Sequence, residues 1–243
     1  MKAILMMVLT ITAFTSGAQD VLTPGKKSLE NKWIYNTSYE MLWYAIKDTS
    51  KFEIGKISTQ IVKDKNSVTV ITRVNMKNAK APWIDSTIAD ISTLQPIYHS
   101  SYNKQRDMVL HFGKIVTGFY NDKMKQNYTS INDTTKTAYF DSNLYPTLLS
   151  WLPLKDGYKQ DLSIYDYNPA GKIGVVKASI TEVKSGTYAS TAVGNKKVWV
   201  VTVSDEIGGD GNVSTYYFDK SDRKLWKQEI NSGGRKMILQ LVE

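Results

Sequence analysis

From Trp33 onward, apolar and polar residues alternate along the chain. The alternation is clearest where Val68, Val70, Thr72, Val74 and Met76 interleave with Thr69, Ile71, Arg73 and Asn75. A period of two sends successive side chains to opposite faces, so each such run predicts a half-buried strand. The same rhythm recurs over residues 54–62, 83–91, 108–112, 115–120, 198–203, 213–218, 225–230 and 237–242. Turn formers separate the runs: Asp64-Lys65-Asn66, Asn121-Asp122, the Gly-Asp-Asn cluster at 208–212, and Ser232-Gly233-Gly234. Val, Thr, Tyr and Trp dominate the runs, as strands favour. Turns about 8 to 12 residues apart predict a mostly β fold, an antiparallel meander coiled into a roll or open barrel.

One segment departs from this rhythm. After Asp141-Ser142-Asn143, which offer N-cap side chains, Leu144, Leu148, Leu149 and Leu152 fall at helical spacing, and Pro153 ends the run. The spacing predicts one short helix near residues 142–152, suited to plugging an open end of the sheet. Residues 33–243 then form a single β-rich domain, and any division into halves falls near 141–153. No internal repeat or low-complexity stretch is evident.

The first residues follow another logic. Met1-Lys2 is a short basic start, residues 3–9 are apolar, and Ser16-Gly17-Ala18 are small. Basic start, apolar core and small-residue cut site are the parts of a secretory signal. The expected cut lies between Ala18 and Gln19, with 1–18 removed and 19–32 a flexible lead-in. The apolar run is too short to cross a bilayer, which takes about 20 residues. No later segment is long and apolar enough to span a membrane, so a soluble periplasmic or extracellular protein is expected.

Composition narrows this further. The chain has no cysteine, which excludes disulfides, thiolate metal sites and the cysteine-linked lipid of a bacterial lipoprotein. The formal charge is +8, and losing Lys2 with the signal makes it +7. Those charges are dispersed, as at Lys26-Lys27, Lys104 with Arg106, Lys196-Lys197 and Arg223-Lys224. Dispersed lysines read as a solvated surface that discourages edge pairing, and no nucleic-acid partner is expected.

Catalytic signatures are absent from the sequence. There are two histidines, His99 and His111. They sit in separate strand-like runs without a partner at metal-ligand spacing, and each is expected as a partly exposed strand residue. No nucleophile elbow, phosphate-cradling loop or dinucleotide fingerprint occurs. No metal, cofactor or catalytic residue is therefore assigned. Residues 205–212 are rich in oxygen ligands and glycine, but their spacing differs from a calcium loop and predicts a hairpin turn. Aromatic residues are the most suggestive feature. Trp83, Tyr98, Tyr102 and Tyr120 are the candidate ligand-binding residues, because rings with a polar tip suit sugar stacking or the mouth of an apolar pocket.

Three further segments carry a resemblance: Asp90-Ile91-Ser92-Thr93-Leu94-Gln95-Pro96; Phe140-Asp141 with Leu152-Pro153-Leu154 and Gly157; and Tyr217-Phe218-Asp219 with Arg223-Lys224-Leu225-Trp226-Lys227. In order and content the chain resembles an uncharacterised family of exported bacterial all-β proteins catalogued as a domain of unknown function. The likeness spans most of residues 33–242. It implies a long antiparallel sheet coiled in the cell envelope, and it brings no catalytic residues with it.

The leading expectation is a non-catalytic binding or envelope-structural protein for a lipid, a glycan or a protein partner. The alternative is a secreted hydrolase using spatially paired carboxylates, which need not be neighbours in sequence. An outer-membrane barrel is disfavoured by charges such as Arg73 and Asp85 within strands and by a C-terminus without an aromatic residue.

Overall fold

The computed structural model describes residues 20–26, 29–207 and 211–243. The expected signal, with Ala18 and Gln19, lies outside them. Among the described residues there are fifteen strands. The first half supplies β1 (Thr37–Lys47), β2 (Ser50–Lys63), β3 (Ser67–Met76), β4 (Trp83–Asp90), β5 (Pro96–Tyr102), β6 (Arg106–His111), β7 (Val116–Asp122) and β8 (Asn127–Asp133). The second supplies β9 (Phe140–Asp141), β10 (Gln160–Tyr167), β11 (Ile173–Ser190), β12 (Gly194–Asp205), β13 (Asn212–Asp219), β14 (Leu225–Ser232) and β15 (Arg235–Leu241).

All fifteen form one sheet in the order β8 to β1, then β15 to β9. The chain therefore enters at the middle of the sheet, meanders out to the β8 edge, crosses over, and meanders back from the β9 edge. First and last strands meet as antiparallel neighbours, with Met41 opposite Leu241 and Ile46 opposite Lys236. Every neighbouring pair is antiparallel except β9 with β10. The predicted meander is what forms, and β12 and β13 run directly into each other as the hairpin expected at 205–212, with Asp205 opposite Asn212.

The sheet curls until its two ends meet, but side chains rather than a backbone ladder make the join. The Tyr165 hydroxyl of β10 donates to Asp133 Oδ2 of β8 at 3.0 Å. Tyr120 of β7 packs on Tyr167 of β10 with ring centres 5.9 Å apart. Met108, Leu110, Val116, Ile131, Tyr139 and Tyr165 form an apolar cluster along this seam. At Gly118 in β7, φ is +151° and an added Cβ would lie 1.9 Å from the Val109 carbonyl oxygen, so glycine permits β6 to approach closely.

The crossover carries the predicted helix. It comprises α1 (Tyr145–Leu148) continued by a 3-10 turn, Leu149–Trp151. Four α-helical residues have little stability alone. Burial holds them: Leu144, Leu148, Leu149 and Leu152 are fully enclosed, among a core that includes Ile61, Val68, Val70, Val201, Val203 and Phe218. The N-cap differs from expectation. It is Leu144, without a side-chain cap, because the Asp141 carboxylate is drawn instead into a buried polar network. The lead-in differs as well. Leu22 is 2% exposed in the core, and its N–H donates to the Asp161 carbonyl at 2.7 Å. The Glu30 N–H donates to the Trp151 carbonyl at 2.8 Å, so these residues clasp β10 and the helix.

Candidate functional site

In β3 and β4, apolar residues are buried toward one end of the strand and polar or aromatic residues face inward at the other. In β4, Trp83, Asp85, Thr87 and Ala89 share a face by period two; Ala89 is fully buried, while Trp83 and Asp85 line a cavity. In β3, Val68 and Val70 are core residues and Thr72 reaches the cavity. The cavity measures about 430 Å³, within the range of small-molecule sites. Apolar residues from both halves of the sheet line it, including Met41, Ile57, Met108, Ile230 and Leu239. Asp85, His99, Arg106, Asn143, Asp166 and Asn168 supply a polar wall.

That wall is built on a buried network joining the two halves. His99 Nδ1 of β5 donates to Asp141 Oδ1 of β9 at 2.8 Å. The Thr87 hydroxyl donates to Asp141 Oδ2 at 2.5 Å, and the Asn143 N–H donates to the same oxygen at 3.1 Å. Asn143 Nδ2 in turn donates to Thr87 Oγ1 at 3.0 Å. Asp141 is 0% exposed and His99 4% exposed. His99 is thus not the partly exposed residue expected; Asp141, brought from 42 residues away, makes its burial tolerable. Burial alone would depress the imidazole pKa, but Asp141, helped by Asp85, more than offsets it and holds the value up to about 10. The ring is an imidazolium at neutral pH, and both its nitrogens are donors.

Beside it, Trp83 Nε1 donates to Asp85 Oδ1 at 2.8 Å and to Ser101 Oγ at 3.0 Å. Arg106 Nη2 donates to Ser101 Oγ at 3.2 Å, and its guanidinium lies 5.4 Å from the Trp83 ring centre. Asp85 Oδ1 is 4.0 Å from His99 Nε2, too long for a hydrogen bond. Asp166 also faces the cavity. Burial raises its pKa, the Ser142 hydrogen bond opposes this, and the Asp141 charge adds to the rise. Among the described residues no group of three or more His, Asp or Glu side chains could hold a metal.

Of the four aromatic candidates, Trp83 lines the cavity. Tyr120 points inward but is occupied with Tyr167 and the seam cluster. Tyr98 and Tyr102 lie on the other face of β5 from buried His99 and Ser101: Tyr102 is 42% exposed, and Tyr98 packs on exposed His111 with ring centres 5.4 Å apart. The sequence named Asp85, His99, Arg106 and Asp141 in other roles and assigned none of them, nor Asp166, to a site. One signal was present: Asp85 and Thr87 share the phase of Ala89 in β4, so polar groups fall on the face that turns inward.

A curled, side-chain-closed β-sheet around a cavity with a mixed wall defines a barrel-like β-domain. The chain belongs to the DUF3108 family, described as proteins of unknown function, whose model matches residues 38–240. No curated protein matches it. Among solved structures, it is similar to the β-barrel-like protein of the DUF1849 domain of unknown function from Brucella abortus. The TM-score is 0.53 at 11% identity, over 86% of this chain and 97% of the other, a likeness of fold alone.

Proposed function

We propose that this is an exported, non-catalytic binding protein that holds a small amphipathic molecule inside the curl of its sheet. The carrying observation is the cavity of about 430 Å³ with apolar sides and one polar wall. Fully apolar packing would be expected there if the interior served stability alone. The His99–Asp141–Thr87 network supports the reading, because it fixes the wall rigidly at the seam between the halves. The basic, apolar and small-residue order of residues 1–18 supports export to the periplasm or beyond.

Native mass spectrometry of protein isolated from the envelope and medium fractions of its own host tests both parts. The expected result is a chain starting at Gln19 that carries one retained small molecule. Protein recovered from the cytosol with residues 1–18 intact would overturn export, and a uniformly empty chain would overturn binding. Asp85 and Asp166 facing one cavity favour a second reading, a hydrolase with paired carboxylates. Under it, Asp85→Asn and Asp166→Asn would each leave a bound substrate uncleaved that wild type releases as product.

A further inference from the structure

The cavity wall has a one-sided deficit of hydrogen bonds. Among the described residues, three buried N–H groups of cavity-lining side chains have no partner: Trp43 Nε1, His99 Nε2 and Arg106 Nε. All three are donors, and two belong to cations. Leaving a buried donor unmade is unfavourable, more so when it is charged. A molecule that occupies the cavity meets that need only by bringing acceptors of its own.

We propose, resting on the binding reading above, that the ligand is amphipathic with a carboxylate head. The head accepts from His99, Arg106 and Trp43, and an alkyl body lies against Met41, Ile57 and Leu239. An ammonium head would face the same three N–H groups with further donors and no acceptor. A hydroxyl head could accept from one or two of them but would bring no negative charge to the two cations, whose charge-assisted hydrogen bonds to a carboxylate are the stronger ones.

The other charges at the wall are compatible with this. Asp141 lies behind His99 and is saturated by it, Thr87 and Asn143. Asp85 accepts from Trp83. Asp166 is the one carboxylate that opposes the head when ionised; burial raises its pKa, while the Ser142 hydrogen bond and the His99 and Arg106 charges hold the rise down. Tyr39 and Tyr167 also face the cavity, and burial raises both hydroxyls above their ordinary pKa, so they stay neutral.

The test is calorimetric titration of the host-purified chain, stripped of any bound molecule, with laurate, dodecanol and dodecylamine below their aggregation limits. Laurate is expected to bind at least about tenfold more tightly than dodecanol, with dodecylamine weakest. Trp43→Phe and Arg106→Gln should each weaken laurate about fivefold to tenfold and weaken dodecanol by clearly less. Thermal melts establish that both variants fold, and Trp43→Phe, which removes only the N–H and the smaller ring, is the conservative one. Equal or tighter binding of dodecanol or dodecylamine overturns the proposal. So does laurate binding that neither variant weakens, or no binding of laurate. A molecule retained in native mass spectra would in that last case leave the binding reading standing and this one refuted.

Discussion

The two ends of the curl are made from the same strands, and they are used differently. At the helix end, Leu148 and Leu149 fill the space between Val68, Val70 and Val203. At the cavity end, the same faces carry Thr72, Asp85 and Trp83 around open volume. Between them lies the His99–Asp141 pair, which ties β5 to β9 where no backbone ladder does. Close packing and open volume are thus separated along the strand direction. One end can be altered without dismantling the other.

The largest effect is expected at the joint. Asp141→Asn leaves His99 buried without its counter-charge and should cost about 3–5 kcal/mol, read by urea unfolding. At the filled end, Leu148→Ala opens a hole in a fully enclosed site and should cost about 2–5 kcal/mol by the same measurement. The joint also sets a pH dependence. His99 ionises near 6.5 when unfolded and near 10 when folded, so its stabilisation is complete below pH 6.5 and is lost as pH rises through about 10. Unfolding midpoints should therefore fall across that window in wild type and fall less in His99→Gln. The smallest change is expected at the cavity. Ile57→Ala, on a half-buried wall already facing space, should cost about 1 kcal/mol. A larger loss there than at Leu148 would erase the distinction between the ends.

Much of the fold was legible because period two survives in most strands. β3 alternates without interruption from Val68 to Met76, and the leucine spacing from Leu144 to Leu152 marked the helix. β11 was not read, for a physical reason. Its pairing with β12 shifts register between Ile180 and Glu182, so buried Val176, Ala178 and Ile180 are followed by buried Val183, and the alternation breaks. β8 hid because five of its seven residues are exposed and it carries few apolar ones. The site was less legible than the fold. Trp83 could be found from its own chemistry, but His99 acquires its role from Asp141, which only the curl brings to it. Tyr98 and Tyr102 lie on the face of β5 that turns away from the cavity, since one position along the strand separates the cavity from the outer surface.

The central claim is that the open end is a ligand site and not a packing defect. Filling it tests this most directly, by titrating the apolar dye N-phenyl-1-naphthylamine into wild type and Thr72→Phe side by side. Wild type should bind one equivalent. Thr72→Phe should bind at least about tenfold more weakly while melting no lower, since an added ring occupies empty space. Equal binding by both proteins, or none by wild type, would contradict the account.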